Sequence, residues 1–152
     1  MSGLYFEQFE PGHVFKHAVT RTVTEMDNTL FSVMTLNMQP LHLDAHFSEQ
    51  TEFGQRLVNS LFTLGLVIGI SVTDTTLGTT IANLGMSDIR FPKPVFHGDT
   101  LRVETEVASV RASKSRPEAG IVEFEHRSHN HRGELVCVCR RSAFMKRQPA
   151  LA

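Results

Sequence analysis

The sequence predicts an α+β fold, a single domain over residues 1–152 in which an antiparallel sheet wraps around one long buried helix. Residues 57–72 form the longest apolar run of the chain, with polar side chains at only four positions. A helix that is apolar on every face is normally buried rather than laid on a surface. After residue 78 the pattern changes to an alternation of apolar and polar residues, which is typical of half-buried strands.

The N-terminal part begins with an irregular segment over residues 1–19, after which residues 21–24 favour an extended chain. Thr24 and Asp27 have the spacing of a capping box, with Asp in the place of the usual Glu. A helix is therefore predicted over residues 25–34. The alternative, a strand through the same segment, is disfavoured because an Asp-Asn pair would lie inside it. The apolar face of this helix would consist of Leu30, Phe31 and Met34.

The segment before the long helix contains Pro40, which breaks a helix and biases the preceding residue to an extended conformation. Residues 44–53 allow a short helix, for which Gly54 is a candidate C-cap. In the long apolar helix that follows, Gly65 and Gly69 lie four residues apart and share one face. We interpret these glycines as a sign of close packing of the helix backbone on a flat surface such as a sheet. The alternative is two tolerated glycines.

Strand signals dominate the remainder of the chain. The clearest alternation covers residues 101–107, and residues 135–144 are apolar on both faces in their first half, which predicts a central strand. Pro92 and Pro94 imply an edge or a bend of the sheet. The chain from residue 146 onward is expected to fray. The predicted strands are residues 80–84, 87–91, 101–107, 122–127 and 135–144.

The composition argues against several classes of function. The net charge is −1, so neither nucleic acid nor an acidic membrane surface is favoured as a partner. The N terminus lacks the charged, apolar and small-residue pattern of a signal peptide. Cys137 and Cys139 would point in the same direction from one strand, which is a poor arrangement for a disulfide and favours a reducing, cytoplasmic setting. Buried thiols are a better interpretation of this pair than a metal site.

Three segments of the sequence resemble the MaoC-like enoyl-CoA hydratases, which have the hot-dog fold. Residues 35–44 (TLNMQPLHLD) are similar to the family pattern T-G-D-x-N-P-I-H-x-D. Residues 53–61 (FGQRLVNSL) are similar to a Phe-Gly pair followed by the H-G-M start of the long helix. Residues 90–101 (RFPKPVFHGDTL) resemble the pattern R-F-x-x-P-V-x-x-G-D-T-L. The order and spacing of the three segments also agree with the family.

The resemblance implies a reversible addition of water across the 2,3-double bond of an acyl-CoA thioester, with CoA as part of the substrate and no cofactor. It also implies a homodimer with the active site at the subunit interface. In the family an Asp and a His hold the water, and backbone N–H groups at the start of the buried helix polarise the thioester carbonyl. The pattern L-N-x-x-P-L-H-x-D resembles a branch that hydrates small branched dicarboxylic acyl-CoAs, such as mesaconyl-CoA or itaconyl-CoA.

The sequence departs from the family at the residues that hold the water. Asn37 occupies the position of the family Asp, Gln39 that of an Asn, and Asn59 and Ser60 that of the His-Gly pair. An amide can hold a water but cannot take its proton. The acid–base chemistry would therefore fall on His42, since histidine titrates near neutrality and can serve both directions of a hydration.

Each of these residues also has a structural interpretation. His42 is predicted to be the proton carrier, with a surface or capping histidine as the alternative. Asn37 is predicted to orient the water, although an Asn in a turn often bonds only to the backbone. The N–H of Ser60, at the positive end of the helix dipole, is the predicted donor to the developing enolate oxygen. Asn59 is predicted to contact the substrate, and it equally suits an N-cap.

Charged residues near these segments are candidates for binding the rest of the substrate. A free carboxylate suits an arginine, and Arg56 lies near the helix start. His42 and His46 lie four apart, but no third ligand is evident, and no metal is expected. The CoA phosphates require positive side chains, and the candidates, each individually no stronger than an ordinary surface charge, are Arg90, Lys93, Lys114 and Arg116.

The predicted function is hydration of a short, branched and acidic enoyl-CoA. One alternative is an acyl-CoA thioesterase, since the same fold hosts that activity and a fold does not determine a function. The other is a non-catalytic acyl-CoA-binding subunit, which the missing carboxylate at position 37 favours. No nucleic-acid or membrane partner is predicted for any of the three.

Overall fold

The computed structural model describes residues 3–149. No helix in this part of the chain is long and apolar enough to cross a membrane. A short 3-10 turn at Phe6–Gln8 comes first. The helices are α1 (Glu25–Met34), α2 (Pro40–Leu43), α3 (Ala45–Glu49) and α4 (Ser60–Thr75). The strands are β1 (Val14–Lys16), β2 (Arg21–Thr22), β3 (Thr80–Arg90), β4 (Thr100–Ala112), β5 (Ala119–His129) and β6 (Leu135–Lys146).

The strands form an antiparallel sheet in the order β1-β4-β5-β6-β3, and β2 also pairs with β4. β6 lies between β5 and β3, so the prediction of a central strand is confirmed, and β3 is an edge strand, as the prolines that follow it imply. α4 crosses the inner face of the sheet, where Val67 packs with Val103, Cys137 and Cys139. The α+β architecture of a sheet around one long helix is thereby confirmed.

The predicted helix at residues 25–34 is confirmed with its cap. The Asp27 N–H donates to Thr24 Oγ1 at 3.2 Å, and the Thr24 N–H donates to the Asp27 carboxylate at 2.8 Å. The apolar face, however, is not the buried one, because Leu30 and Met34 are exposed. The side that packs against the protein carries Asn28 and Ser32 instead, so α1 contributes a polar surface to the interior.

The long helix begins where Asn59 and Ser60 were predicted to start it, but it differs from its prediction in its burial. It begins at Ser60, because the Val58 N–H is bonded to the Val95 carbonyl at 2.9 Å and Asn59 caps the helix. Leu61 is 58% exposed, and a Cβ atom added at Gly65 or Gly69 would meet no atom within 4 Å. Within the described residues, the predictions of burial on every face and of glycines packed on a sheet are therefore wrong. One side of α4 is open.

Three further expectations need correction. β3 is one continuous strand, and Gly85 marks only a shift in its register with β6. The short helix α3 ends four residues after it begins, and Gly54 lies in a later turn, with φ of +66°, rather than at the C-cap. The region predicted to be irregular contains β1, whose three residues are too few for an alternation to show in the sequence.

The C-terminal segment is bonded further than predicted. The Lys146 N–H donates to the Thr79 carbonyl at 2.9 Å, and the Gln148 N–H donates to the Glu7 carboxylate at 3.0 Å. The expectation of fraying from residue 146 is wrong for these residues, and its last three positions, 150–152, lie outside the described residues. Cys137 and Cys139 are buried free thiols, as predicted. Burial raises the pKa of the Cys137 thiol to about 12, which keeps it protonated and unreactive.

Candidate active site

The imidazole of His42 is fixed by a single hydrogen bond to the backbone. Pro40 starts the short helix α2, which places His42 in its last turn, where the residue is 8% exposed. His42 Nδ1 lies 2.7 Å from the Leu57 carbonyl oxygen. A carbonyl oxygen can only accept, so Nδ1 carries the hydrogen and Nε2 of the neutral ring has a free lone pair. Nε2 forms no hydrogen bond to any described residue, which leaves it available as a base.

Asn28, on α1, joins this histidine to the start of α4. The side chain is fully buried, and its Nδ2 lies 3.2 Å from the His42 carbonyl, 3.1 Å from the Leu57 carbonyl and 2.9 Å from His97 Nε2. Its Oδ1 accepts the Asn59 N–H at 2.8 Å. We call these five residues the Asn28 network. They hold α1, α2 and the start of α4 in one arrangement.

Sequence reasoning did not single out Asn28. The available signal was an asparagine inside a predicted helix, where its side chain competes with helical hydrogen bonding unless it has partners elsewhere. Its partners lie 14 to 69 residues away in the chain, so their identity depends on the tertiary fold. The buried face of α1 was missed for the same reason.

At the start of α4 the backbone N–H groups of Ser60 and Phe62 remain free within the described residues. Asn59 is the N-cap, and its Oδ1 accepts the Leu61 N–H at 3.1 Å while its Nδ2 donates to Ser32 Oγ at 3.3 Å. The N–H of Asn59 itself is used by Asn28. The Ser60 N–H forms no hydrogen bond within the described residues and lies at the positive end of the helix dipole. The structure thus shows Asn59 as a cap and leaves the Ser60 N–H able to bind an oxyanion.

A cavity of about 300 Å³ opens beside this helix start. Ser60 and Thr63 of α4 line it on one side, and Lys93 and Val136 line it elsewhere. His42 does not line this cavity directly. It is connected to the cavity through Leu57, whose carbonyl it binds and whose residue forms part of the wall.

Asn37 lies in the turn before α2, and its side chain bonds to that turn. Its Oδ1 accepts the Gln39 N–H at 3.3 Å, just after Leu36 adopts a positive φ of 58°. The structural alternative for Asn37 is thus present in the molecule. Its Nδ2 donates to no described residue and can still hold a water, so the orienting role stays a prediction.

Arg56 is already paired, with Glu25 Oε1 at 2.5 Å from its Nη2. It lines a second cavity, of about 230 Å³, together with His97. Burial, with a smaller contribution from the Arg56 charge, lowers the pKa of His97 and keeps its ring neutral. Since His97 Nε2 accepts from Asn28, its Nδ1 carries the hydrogen. His97 belongs to the same network as His42, and sequence reasoning also missed it.

The predicted CoA-binding cations fall into two groups. Lys93 lines the cavity at Ser60, and Arg90 ends β3 next to the cavity residue Phe91. Lys114 and Arg116 lie in the turn between β4 and β5, where Arg116 pairs with Glu118 at 2.6 Å. That turn is at the opposite end of the sheet from the cavity, because β5 starts beside Lys146 and ends beside Leu135. A single chain therefore brings only the first group near Ser60, and all four roles stay predictions.

The chain is similar to known proteins over most of its length. The family model for the MaoC like domain matches residues 6–130. Mesaconyl-CoA hydratase of Cereibacter sphaeroides is 33% identical over 89% of this chain, which covers 39% of that protein. 3-Hydroxybutyryl-CoA dehydratase of Methylorubrum extorquens is 31% identical over 74% of this chain and 69% of that protein. This chain therefore spans about two fifths of the length of the mesaconyl-CoA hydratase.

A solved structure supports the fold. A Mycobacterium tuberculosis protein with a double hotdog fold is 25% identical, and it superposes with a TM-score of 0.88 over 99% of this chain and 46% of its own. The match to nearly half of that protein equates this chain with one hot-dog unit. The family model covers most of the chain, from the 3-10 turn to the end of β5. The chain therefore belongs to the MaoC-like domain family, and its α+β architecture is the hot-dog fold.

Proposed function

We propose that the protein catalyses the reversible hydration of a 2,3-enoyl-CoA thioester. The observation that carries this proposal is the fixed tautomer of His42, whose Nδ1 is bound to the Leu57 carbonyl at 2.7 Å and whose Nε2 is free. Two residues after Leu57 the helix cap begins, and the next residue, Ser60, has a free N–H. A base and an oxyanion donor are therefore held by adjoining backbone, which is the pair of groups that this reaction requires.

In the proposed mechanism the His42 Nε2 takes a proton from water as the water oxygen bonds to C3. The electron pair of the C2=C3 bond moves toward the thioester, and the enolate oxygen is held by the Ser60 N–H at the helix start. The imidazolium then returns the proton to C2. Asn37 orients the water but takes no proton, because an amide has no basic site for one. CoA is part of the substrate, and no cofactor takes part.

For the substrate we propose a short branched dicarboxylic enoyl-CoA such as mesaconyl-CoA or itaconyl-CoA. Mesaconyl-CoA hydratase is among the similar proteins, and a cavity of about 300 Å³ suits a small acyl group. Lys93 in its wall offers a charge to the CoA phosphates or to the acyl carboxylate. Because Arg56 is committed to Glu25, the proposal for Arg56 requires that the substrate compete with that ion pair.

We further propose that two copies of the chain form a homodimer in the cytoplasm. The edge strand β3 exposes Leu84, Met86 and Ile89, and α4 leaves one face open at Leu61. Exposed apolar surface beside an unpaired strand edge favours association. A second copy would cover both surfaces. The two copies together would then contain two hot-dog units, the number that a double hotdog fold has in one chain.

The experiment supplies mesaconyl-CoA and crotonyl-CoA separately and follows enoyl absorbance together with free thiol. Loss of enoyl absorbance without thiol supports hydration, and thiol release supports a thioesterase and contradicts the proposal. A non-catalytic acyl-CoA-binding subunit is the second candidate, because Asn37 lacks the carboxylate and its Oδ1 is occupied by the turn. Binding of either thioester with no change in absorbance or thiol would support that candidate instead.

A further inference from the structure

A line of hydrogen bonds runs from the surface into the interior, away from the candidate active site. His17 Nδ1 lies 2.8 Å from Asp74 Oδ2, near the C-terminal end of α4, and His17 Nε2 lies 2.8 Å from Thr105 Oγ1. Thr105 Oγ1 lies 2.8 Å from His126 Nδ1. Asp74 is exposed to solvent, whereas the other three side chains are buried. Together with Arg141 we call these residues the buried polar row.

The inner end of this row has no partners. His126 is 0% exposed, and its Nε2 is fully buried without a hydrogen bond within the described residues. Arg141 is 5% exposed, and its Nε and Nη2 are likewise buried and unpartnered. Arg141 forms no salt bridge with a described acidic residue. A buried guanidinium without a counter-charge is strongly disfavoured, so these atoms indicate a missing anionic partner.

The register of the sheet places the two residues next to each other. His126 pairs with Cys139, and Phe124 pairs with Arg141, so His126 and Arg141 are diagonal neighbours on one face. The guanidinium lies over the Phe124 ring at 5.3 Å, and the His126 ring lies 5.8 Å from the same ring. Both polar groups therefore flank one aromatic side chain and converge on the same region.

The region borders the edge strand. Met86 of β3 is the direct neighbour of Arg141 in the sheet, and it is partly exposed. No described residue bonds to Arg141 Nη1, and this atom is not among the buried side-chain atoms that lack a partner, so it is the part of the guanidinium nearest to solvent. A small ligand would therefore reach the two side chains from the side of β3, at the boundary with a second copy of the chain.

We propose that Arg141 and His126 form a binding site for a small carboxylate. The planar guanidinium presents parallel N–H groups that match the two carboxylate oxygens, and the His126 Nε2 supplies a third contact. This site is separate from the cavity at Ser60 and goes beyond the proposed hydration. The shared chemistry is a single carboxylate, which can come from a free small acid or from the acyl end of a bound substrate.

The distance along β6 limits which bound substrate can supply its acyl carboxylate to Arg141. Val136 lines the cavity at Ser60, and Arg141 is five residues further along the strand, or about 17 Å at the usual strand rise. That distance is several times the length of a four-carbon acyl group. A thioester held at Ser60 of one chain cannot reach Arg141 of the same chain, so an acyl carboxylate would have to come from substrate bound by the second copy.

Binding is expected to take up a proton through the row. When both rings are neutral, His17 Nδ1–H donates to Asp74, so the Thr105 hydroxyl donates to His17 Nε2 and accepts from His126 Nδ1–H, which leaves His126 Nε2 bare. For Nε2 to carry a hydrogen, the Thr105 hydroxyl must donate to His126 Nδ1 and accept from His17. This requires one added proton, held on His17 against Asp74. The groups that face His126 are Thr105, Cys139 and Arg141, with His17 and Asp74 beyond Thr105.

The test is calorimetric titration of the full chain with sodium acetate at constant ionic strength, in two buffers of different ionisation enthalpy. We expect saturable binding with net proton uptake, and at least about tenfold weaker binding in Arg141→Met, which keeps the side-chain length but removes the charge. Arg140→Met is the matched control, because Arg140 lies on the opposite face and pairs with Glu125. His126→Gln is expected to bind acetate without proton uptake.

Kinetics then identify the source of the carboxylate. If the acyl group supplies it, Arg141→Met lowers kcat/KM for mesaconyl-CoA by about a hundredfold and leaves crotonyl-CoA turnover unchanged. If a free acid supplies it, the ratio of the two substrates does not change. Absence of hydratase activity in the wild type would refute the proposed function only, since acetate binding is measured independently.

Two results would overturn the site itself. One is no acetate binding by the wild type together with an unchanged substrate ratio in Arg141→Met. The other is equal acetate affinity in wild type and Arg141→Met. Sedimentation of each variant completes the test, because a monomeric Arg141→Met protein with no acetate effect would assign Arg141 to the contact between copies. If Arg141→Met fails to fold, Arg141→Lys serves in its place, and weakened rather than abolished binding is expected.

Discussion

The Asn28 network and the buried polar row are both sets of polar side chains inside one small protein, yet they are organised in opposite ways. In the Asn28 network the buried groups have partners, and the ring atoms without a described partner are the basic Nε2 of His42 and the Nδ1–H of the partly exposed His97. The buried polar row ends in three atoms that have none. The comparison shows that a complete network positions a reactive atom, whereas an incomplete one indicates a ligand.

The difference also follows from where each set lies. The Asn28 network joins α1, α2 and the start of α4, which lie outside the sheet, so side-chain hydrogen bonds help to hold them together. The buried polar row lies on long strands that the backbone ladder already holds in place. Its side chains are therefore not needed to define the fold, and the sheet can tolerate unpartnered atoms there. The following predictions are ordered from the largest expected effect to the smallest.

The largest effect is expected from His42→Ala. His42→Ala removes the only ring nitrogen in the Asn28 network that is both unprotonated and without a described hydrogen bond, so turnover should fall by about 10²- to 10⁴-fold. Enoyl absorbance measures the rate, and circular dichroism checks that the fold is kept. His46→Ala is the control, since His46 is exposed on α3 and its ring hydrogen-bonds, among the described residues, to Gln50. Wild-type activity in His42→Ala would contradict the proposed mechanism, and only the assignment of the fold would stand.

Asn28→Ala should break the Asn28 network as a whole. The variant leaves the Asn59 N–H and the His42 carbonyl without a side-chain partner and the Leu57 carbonyl with His42 alone, and we expect a loss of roughly 2–4 kcal/mol in the free energy of unfolding. Urea denaturation measures this loss. Turnover should fall as well, because the segment that carries His42 is no longer tied to the helix start.

Asn28→Asp separates the two halves of that effect. It keeps the acceptor for the Asn59 N–H but loses both donors to the carbonyls, so the helix cap should survive while the hold on His42 weakens. Equal stability of Asn28→Asp and the wild type would show that the donors contribute nothing, and the description of a complete network would then fail.

The buried polar row should make stability depend on pH. Burial, and then the charges of Arg141 and His17, lower the pKa of His126 to about 3. A histidine whose pKa is lower in the folded state binds its proton preferentially when unfolded, so stability falls as the pH decreases below about 6.5. From pH 6.5 to pH 5 one such group contributes a loss of about 2 kcal/mol.

The measurement is urea unfolding of wild type and His126→Gln at pH 7.5 and pH 5. Carboxylates with lowered pKa values, such as Glu104 beside Arg127, also destabilise the fold on acidification and contribute equally to both proteins. The expected result is therefore a smaller pH effect in His126→Gln. Identical pH effects would mean that His126 is not a neutral buried histidine.

The sequence predicted the regular elements well because their signals are local. The Thr24–Asp27 capping box predicted the start of α1, alternation identified β4 and β5, and an apolar first half identified β6 as a central strand. The sequence-based prediction failed where a residue's environment is set by distant parts of the chain or by a second copy. Asn28 and His97 form a hydrogen bond although they lie 69 residues apart in the chain. The role of the open face at Gly65 and Gly69 depends on what covers α4 in the assembled protein.

The candidate site shows the same division. The motif around His42 could be recognised because the histidine and the turn that positions it lie within a few adjacent residues. The N-cap at Asn59 could be recognised for the same reason. The buried polar row left no sequence signal. His17, Thr105 and His126 are separated by 88 and 21 residues, and each looks like an ordinary strand or loop residue until the sheet register aligns them.

The smallest effect is expected at Asn37, and it tests whether this residue belongs to the turn or to the reaction. Asn37→Ala loses the bond to the Gln39 N–H, and Asn37→Asp keeps it because a carboxylate oxygen also accepts. If Asn37 only shapes the turn, Asn37→Ala should lose about 1 kcal/mol of stability, and Asn37→Asp should match the wild type in both stability and rate.

If Asn37 also orients the water, the two variants should differ in rate and not only in stability. A carboxylate at this position can accept a hydrogen from the water and share its proton with His42, so Asn37→Asp should keep turnover within about threefold of the wild type while Asn37→Ala lowers it about tenfold. Steady-state kinetics beside urea denaturation decides between the two roles. A normal rate in Asn37→Ala would leave His42 Nε2 and the Ser60 N–H as the whole of the catalytic machinery, with the water positioned by the substrate itself.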